Sequence, residues 1–150
     1  MTHPSPAATI ETLVLERWLP APVEAVYRAW TTRAELERWY TAEHGWIIAI
    51  HHHDPRVGGR FEVSFTPPVG DTIFEEDLYD AVVPNERLAF TMTLRRSNEL
   101  ISTTHVTVTF AHEGTGTKLT ITDVGPSARD HEQGWTPALE ELATLLATGA

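Results

Sequence analysis

Residues 46–124 consist of short segments in which apolar and polar residues alternate, separated by turns rich in Gly, Pro, Asn and Asp. An alternation with a period of two predicts β-strands with one buried face, and connections this short favour antiparallel hairpins. The opposite face carries many threonines, which is typical of a sheet face in contact with water. The predicted strands are residues 46–53, 60–66, 72–83, 87–94, 102–111 and 117–124.

A further strand and two short helices are predicted before this region. Residues 10–19 alternate in the same way, and the pattern stops at Pro20. After Pro22, apolar residues recur with the spacing of a helix that buries one stripe. Thr32 and Glu35 have the spacing of a capping box, which predicts the start of a second helix. The apolar positions of the two helices are Val23, Val26, Tyr27 and Trp30, then Leu36, Trp39 and Tyr40.

A long amphipathic helix is predicted at the end of the chain. Its start has two interpretations: residues 130–133 form a capping box and Pro137 lies inside the helix as a kink, or Thr136 caps the helix and Pro137 is its first residue. The order of elements indicates an α+β fold, a seven-stranded antiparallel sheet whose buried face is covered chiefly by this helix. Its apolar positions are Trp135, Leu139, Leu142 and Leu146.

Composition narrows the classes of function. The 150 residues have a formal net charge of −10, so strong association with nucleic acid or with an anionic membrane is disfavoured. Because the chain has no cysteine, disulfides, thiolate metal sites and cysteine nucleophiles are excluded. The start of the chain does not resemble a signal peptide, and we expect a cytoplasmic protein. We also expect residues 10–150 to form one domain after a flexible tail at residues 1–9.

Several motifs occur in an order that is similar to a known family. The stretches at residues 17–30, 36–39 and 54–61 resemble the START-like (SRPBCC) superfamily, and more closely the domain family named for the activator of the heat-shock-protein-90 ATPase. Further matches lie at residues 83–88, 116–123 and 132–135. The resemblance implies a helix-grip fold, with the sheet wrapped around the long helix. It also implies an elongated apolar cavity between them, which the superfamily uses for lipids, polyketides, hormones and occasional catalysis.

Bulky side chains at inward positions have two interpretations, an ordinary packed core or the wall of such a cavity. The cavity interpretation predicts a ligand-binding set in which Tyr79 or Asp123 orients a polar group of the ligand. The predicted ligand-binding residues are Trp30, Trp39, Phe61, Val63, Tyr79, Phe90, Met92, Val106, Val108, Asp123, Trp135, Leu139 and Leu142.

Asp123 and Tyr79 are the candidate catalytic residues. Asp123 has the strand parity of Leu119 and Ile121, so it is expected to point inward, either as an anchor at the strand end or as a base with a raised pKa. Tyr79 shares a face with Glu75 and Asp77 if the strand has no bulge. Which face of this strand lines the cavity is left open by the sequence.

The histidines at positions 51–53 form the most conspicuous polar run. Alternation puts His51 and His53 on one strand face and His52 on the other, so at most two of them address one metal ion. His44, His105 and His112 have no spacing that requires a metal site. We therefore predict no metal and no cofactor.

No serine stands in a recognisable nucleophile motif. Ser64, Ser102 and Ser127 lack the glycine-flanked context of a nucleophile elbow, so the sequence gives no sign of a Ser–His–acid triad.

Three functions are consistent with these observations. The preferred one is a protein that binds a small hydrophobic molecule between the C-terminal helix and the sheet. The second is an enzyme that performs proton-transfer chemistry in that cavity, such as a cyclase, hydratase or isomerase. The third is a stress-response co-chaperone that stimulates a heat-shock-protein-90-type ATPase. We expect no nucleic-acid or membrane partner, a possible chaperone partner, and a monomer or homodimer.

Overall fold

A computed structural model describes residues 9–41 and 45–148. The predicted tail therefore lies outside the described residues, apart from Thr9. The elements are β1 (Ile10–Leu19), α1 (Val23–Thr31), α2 (Arg33–Trp39), β2 (Ile47–His53), β3 (Arg60–Thr66), β4 (Ile73–Val83), β5 (Arg87–Arg96), β6 (Glu99–Glu113), β7 (Gly116–Pro126), a 3₁₀ turn (Ala128–His131) and α3 (Glu132–Ala147).

The strands form one sheet in the order β1-β7-β6-β5-β4-β3-β2, and every neighbouring pair is antiparallel. Strands β2 to β7 follow one another as hairpins, while β1 pairs with β7 from Ile10 opposite Pro126 to Leu19 opposite Thr117. The helices α1 and α2 connect the two edge strands of the sheet. The predicted fold class, a seven-stranded antiparallel sheet with a long C-terminal helix, is confirmed.

One face of the sheet is buried beneath α3. The alternation predicted for β6 is observed, since Val106, Val108 and Phe110 are buried at every second position. Helix α3 buries Leu139 and Leu142 in the same apolar cluster. Burying one such side chain stabilises the fold by roughly 1.5–3 kcal/mol relative to leaving it exposed. The core therefore lies between α3 and the inner face of the sheet.

The β5–β6 hairpin is longer than predicted. The sequence predicts that β5 ends at residue 94 and β6 begins at residue 102, but the strands extend to Arg96 and from Glu99. Ser97 and Asn98 have φ of 50° and 65°, the left-handed conformation that a tight two-residue hairpin turn requires. The predicted strand bounds depend on apolar alternation, and polar residues interrupt that alternation near the turn of this hairpin.

The predicted capping box at α2 does not form. Thr32 is the N-cap residue, but its side chain makes no capping hydrogen bond, and its carbonyl accepts from the N–H groups of Glu35 and Leu36. The Glu35 carboxylate instead lies 3.4 Å from Arg28 Nε. The close succession of α1 and α2 leaves Thr32 extended between them, because it caps the end of one helix and the start of the next.

Helix α3 begins at Glu132, so Pro137 lies inside it, as the first of the two interpretations predicts. The capping box of that interpretation is absent, because the N-cap residue is His131 and no side chain caps the helix. The imidazole of His131 points instead toward the sheet. Within the described part of the chain, none of the helices has the length and apolar character that a membrane span requires.

Candidate functional site

A cavity of about 610 Å³ lies between the first turns of α3 and the inner face of strands β3 to β6. This volume is within the usual range of small-molecule sites. Its apolar wall consists of Tyr40, Trp46, Phe65, Ile73, Met92, Leu94, Ile101, Trp135 and Ala138. Its polar wall consists of Thr41, Glu75, Arg96, Ser102, Ser127, Asp130, His131, Gln133 and Gly134.

Two members of the predicted ligand-binding set, Met92 and Trp135, line this cavity. The others are buried but stand away from its wall, because the middle of α3 packs directly on the inner face of the sheet and fills that space with side chains. For them, a role as ligand contacts stays a prediction. They are Trp30, Trp39, Phe61, Val63, Tyr79, Phe90, Val106, Val108, Asp123, Leu139 and Leu142.

A chain of hydrogen bonds connects Ser102, His131 and Asp123 at one end of the cavity. Ser102 Oγ is 3.0 Å from His131 Nε2, and His131 Nδ1 is 2.6 Å from Asp123 Oδ2. Trp135 Nε1 donates to the same carboxylate oxygen at 3.2 Å. Asp123 is fully buried and points inward, as strand alternation predicts. With Asp123 ionised, the neutral imidazole donates from Nδ1 and accepts from the serine hydroxyl at Nε2.

The three residues of this chain of hydrogen bonds come from three elements. Ser102 lies on the inner face of β6, Asp123 lies on the inner face of β7, and His131 precedes α3. Ser127 begins the connection from β7 to α3 in the left-handed conformation, with φ of 60°. The 3₁₀ turn that follows brings the imidazole back over the sheet. The N-cap position of α3 thus delivers a side chain to the cavity instead of capping the helix.

A second polar cluster comprises Glu75, Asp77 and Tyr40. Strand β4 keeps its alternation from Glu75 to Tyr79, and its register shifts only between Tyr79 and Ala81, so Glu75, Asp77 and Tyr79 all face inward. Tyr40 Oη donates to Glu75 Oε2 at 2.6 Å, and the carboxyl groups of Glu75 and Asp77 are hydrogen-bonded to each other. Of the two acids, Glu75 reaches the cavity.

Burial determines the protonation of this cluster. Desolvation, reinforced by the nearby charge of Glu75, raises the pKa of Asp77 well above its ordinary value. Desolvation also raises the pKa of Glu75, although the hydrogen bonds from Asp77 and Tyr40 oppose that rise. Asp77 therefore holds the proton that it donates to Glu75. Burial raises the pKa of Tyr40 as well, so its hydroxyl remains a donor.

Tyr79 lies behind these groups. Its ring packs edge-on against Phe90 with the ring centroids 5.8 Å apart, and it does not reach the cavity wall. Burial raises its pKa far above the usual range. A catalytic role for Tyr79 stays a prediction.

The predicted arrangement of the histidine run is wrong at one residue. A bulge between Ile50 and His52 shifts the register of β2, so His51 lies on the outer face with Nε2 2.8 Å from Ser64 Oγ, while the ring of His53 packs on Phe61 inside. His51 and His53 therefore lie on opposite faces, because a bulge adds a residue without any signal in the alternation.

The other histidines considered as metal ligands lie apart from this run. His105 Nε2 is 2.9 Å from Asp80 Oδ2, His112 is exposed on β6 opposite Thr117, and His44 lies outside the described residues. Across residues 9–41 and 45–148, no three histidine or acidic side chains are grouped so as to hold a metal ion.

Comparisons with known proteins agree with this architecture. The family model described as Activator of Hsp90 ATPase homolog 1-like protein matches residues 20–147. The chain belongs to this family. A comparison with curated proteins gives no match.

Solved structures of similar proteins come from several bacteria. Protein CV1439 from Chromobacterium violaceum is 31% identical, with a TM-score of 0.79 over 90% of this chain and 96% of that chain. A protein from Rhizobium leguminosarum is 27% identical, with a TM-score of 0.80 over 95% and 97% of the two chains. Mll3558 from Rhizobium loti is 27% identical, with a TM-score of 0.79 over 92% and 98%. Each shares the helix-grip fold.

Sequence reasoning about this member of the Activator of Hsp90 ATPase homolog 1-like family missed the polar partners of Asp123 and Glu75. Within the motif matches, residues 116–123 end at Asp123 and residues 132–135 end at Trp135, but His131 falls between the two motifs. The apolar spacing places Tyr40 on the buried face of a helix, and a hydrophobic pattern does not reveal what its hydroxyl group contacts. The parity that Glu75 and Asp77 share with Tyr79 is a clue to the second cluster, but the sequence leaves open which face of the strand points inward.

Proposed function

We propose that the chain binds a small, uncharged, largely apolar molecule in the cavity between α3 and the sheet. The supporting observation is the 610 Å³ space itself, walled by aromatic and aliphatic side chains such as Trp46, Phe65 and Met92. A space of this size with an apolar wall therefore favours an organic ligand of drug-like size.

The polar wall supports the uncharged character of the ligand. The acids Glu75 and Asp130 and the cation of Arg96 line the cavity together, so neither sign of charge on a ligand is clearly favoured, and the desolvation that raises the pKa of Glu75 also disfavours charge beside it. A carboxyl group has more acceptor positions than the hydrogen bonds from Tyr40 and Asp77 occupy. A hydroxyl group on the ligand can therefore donate to Glu75, which would orient an otherwise apolar molecule.

The test introduces a bulky side chain from α3 into the cavity. Ala138 is buried and lines the space, so Ala138→Phe would occupy part of it. The probe is Nile red, which is neutral and fluoresces more strongly in apolar surroundings. We expect saturable binding to the wild type, weakened at least about tenfold in Ala138→Phe, which corresponds to about 1.4 kcal/mol of binding free energy.

The matched control is Ala147→Phe, the same change at an exposed position of α3. It should bind Nile red as the wild type does. Absence of saturable Nile red binding to the folded wild type, or equal affinities of the two variants, would contradict the proposal. Native mass spectrometry of freshly purified protein provides an independent readout of any molecule that is retained.

Proton-transfer catalysis is a second candidate function, and the observation that favours it is the position of Glu75. This residue combines a raised pKa with a place on the cavity wall, as a general acid or base requires. The test follows deuterium exchange beside the carbonyl of cyclohexanone by NMR. Glu75→Gln should abolish any acceleration, whereas Tyr79→Phe should leave it unchanged. A wild type that does not accelerate exchange would count against this candidate for enolisable ketones.

A co-chaperone role is supported by the description of the matched family, which names an activator of the Hsp90 ATPase. The cavity has no bearing on that role. The direct test is the ATPase rate of a bacterial chaperone of the Hsp90 type with and without this protein. An unchanged rate at saturating protein would remove this hypothesis.

A further inference from the structure

A serine, a histidine and an aspartate that are far apart in the sequence meet at one end of the cavity. The hydrogen bonds run from Ser102 Oγ to His131 Nε2 at 3.0 Å and from His131 Nδ1 to Asp123 Oδ2 at 2.6 Å. Both distances lie within hydrogen-bond reach, and each ring nitrogen has a different partner. A nucleophile, a base and a group that orients the base are the three parts of a catalytic triad.

Burial and access to the cavity are also consistent with a triad. Asp123 is fully buried, Ser102 is 6% exposed and the His131 side chain is 10% exposed, and both Ser102 and His131 line the cavity. A triad needs its carboxylate shielded and its hydroxyl open to the substrate. Trp135 Nε1 holds the carboxylate oxygen that His131 also uses, which makes Trp135 a positioning residue. Ser102 and His131, in the positions of nucleophile and base, therefore line the cavity. Asp123, in the position of the acid, lies directly behind them.

The backbone at Ser102 is irregular as well. Ser102 pairs with Leu94, but the next paired residues are Leu100 and Arg95, so Ile101 is an extra residue in β6. A bulge of this kind turns neighbouring side chains out of the regular pleat, and bulges are frequent beside active sites. Ser102 thus stands in a strand and not in the glycine-flanked turn of a nucleophile elbow, so no nucleophile motif is visible around it in the sequence.

We propose that Ser102, His131 and Asp123 form a triad that hydrolyses carboxylic esters with small apolar groups. The inference rests on the proposed binding function, because the ester would occupy the same cavity. Arg96 and Gln133 also line that cavity, and their N–H groups are the donors available to a negatively charged carbonyl oxygen.

The chemistry balances without a cofactor. Ser102 Oγ attacks the ester carbonyl carbon while its proton passes to His131 Nε2, and Asp123 stabilises the imidazolium. The bond from the carbonyl carbon to the alcohol oxygen then breaks, and the alcohol leaves with the proton from His131. Water, deprotonated by His131, attacks the acyl-serine, and the carboxylic acid is released as Ser102 recovers its proton. The sum is one ester and one water giving one acid and one alcohol.

The first experiment is covalent labelling with a fluorophosphonate probe, followed by mass spectrometry of the peptides. We expect one adduct, on Ser102, in the wild type and none in Ser102→Ala. The matched control is Ser64→Ala, because Ser64 also contacts a histidine ring nitrogen, at 2.8 Å, but on the outer face and away from the described cavity. Ser64→Ala should be labelled as the wild type is.

The second experiment measures hydrolysis of p-nitrophenyl butyrate. We expect kcat/KM to fall about a thousandfold or more in Ser102→Ala, and about a hundredfold or more in Asp123→Asn, which puts the wrong tautomer on the histidine. Nile red binding by each variant is measured in parallel, so that loss of the nucleophile is distinguished from loss of the cavity. A structural role for the serine would lower stability but would not direct a fluorophosphonate to Ser102.

The outcomes separate this inference from the proposed function. Labelling at Ser102 together with lost hydrolysis in Ser102→Ala supports the triad. Nile red binding by the wild type without labelling at Ser102, or with hydrolysis unchanged in Ser102→Ala, overturns the triad and leaves the binding function standing. A wild type that neither binds Nile red nor is labelled overturns both.

Discussion

The two halves of the interface between α3 and the sheet differ in character. In the packed half, Leu139 and Leu142 of α3 belong to one apolar cluster with Val106, Val108 and Ile121 of the sheet. In the polar half, around the start of α3, the inward residues are Glu75, Asp77, Ser102, Thr104 and Asp123. The same strands contribute to both, since β6 changes from valine to threonine and serine along its inner face.

The polar half contains hydrogen-bonding atoms that the described residues do not satisfy. Asp77 Oδ1, Thr104 Oγ1 and Asp123 Oδ1 are buried without a hydrogen-bond partner in residues 9–41 and 45–148. A buried polar group without a partner costs about 1–3 kcal/mol. Stability is therefore concentrated in the packed half, while the polar half retains groups that a purely structural core would replace with apolar ones.

Removing a side chain from the packed half should have the largest effect. Leu142 is fully buried on α3, so Leu142→Ala leaves a cavity, and we expect a loss of about 2–5 kcal/mol in the free energy of unfolding. Urea denaturation followed by tryptophan fluorescence measures it. Leu100→Ala is the control, because Leu100 is 57% exposed and should change stability by less than about 0.5 kcal/mol. Equal losses in both variants would contradict the division into two halves.

Asp77→Asn tests the polar half and should stabilise the protein at alkaline pH. Because the folded-state pKa of Asp77 is raised, the folded protein binds this proton more tightly than the unfolded chain does. Stability therefore falls as pH rises from about 4 through the folded-state pKa. Asn supplies a permanent N–H donor to Glu75 and does not titrate. We expect a gain of about 1–3 kcal/mol at pH 8 and little change at about pH 4, close to the unfolded-state pKa, where the loss has only begun.

Thermal unfolding at the two pH values measures this difference, and 1 kcal/mol corresponds to about 2–4 °C in Tm for a domain of this size. Glu76→Gln is the matched control, since Glu76 is the neighbouring acid on β4 and its side chain is 51% exposed. The Tm of Glu76→Gln should differ from that of the wild type by the same amount at both pH values. A destabilised Asp77→Asn at pH 8 would mean that the Asp77 charge is needed in the folded state.

The sequence predicted the packed half better than the polar half, for a physical reason. Apolar burial repeats with the period of the element, so β1 and β3 were predicted with the bounds that the structure has. The inward direction of Asp123 followed from the same parity. His131 lies between a strand and a helix, where neither period applies, and its partners are 8 and 29 residues away. Its position depends on the turn from β7 to α3.

Bulges account for further differences within the strands. The extra residue in β2 separated His51 from His53, and the one in β6 at Ile101 lies beside Ser102. A bulge is set by how two strands pair, and the composition of one strand does not reveal it. The fold is therefore readable from alternation, whereas the geometry of the polar half depends on interruptions of that alternation.

Tyr40→Phe tests a single hydrogen bond of the polar half and should have the smallest effect. The change removes the hydroxyl that donates to Glu75 at 2.6 Å but keeps the ring packed against Phe61 and Trp135. We expect a loss of about 1 kcal/mol, the net value of one such hydrogen bond. The loss should be greatest where Glu75 is ionised, because the bond to Tyr40 lowers the pKa of Glu75 and its removal lets that pKa rise. Urea denaturation at pH 5 and pH 8 tests both points.

Tyr27→Phe is the control, since Tyr27 packs through its ring on Phe110 and lies outside the cluster. Equal effects of the two variants at both pH values would show that the Tyr40 hydroxyl does not tune Glu75, and the ligand-orienting role of that carboxyl group would lose its support.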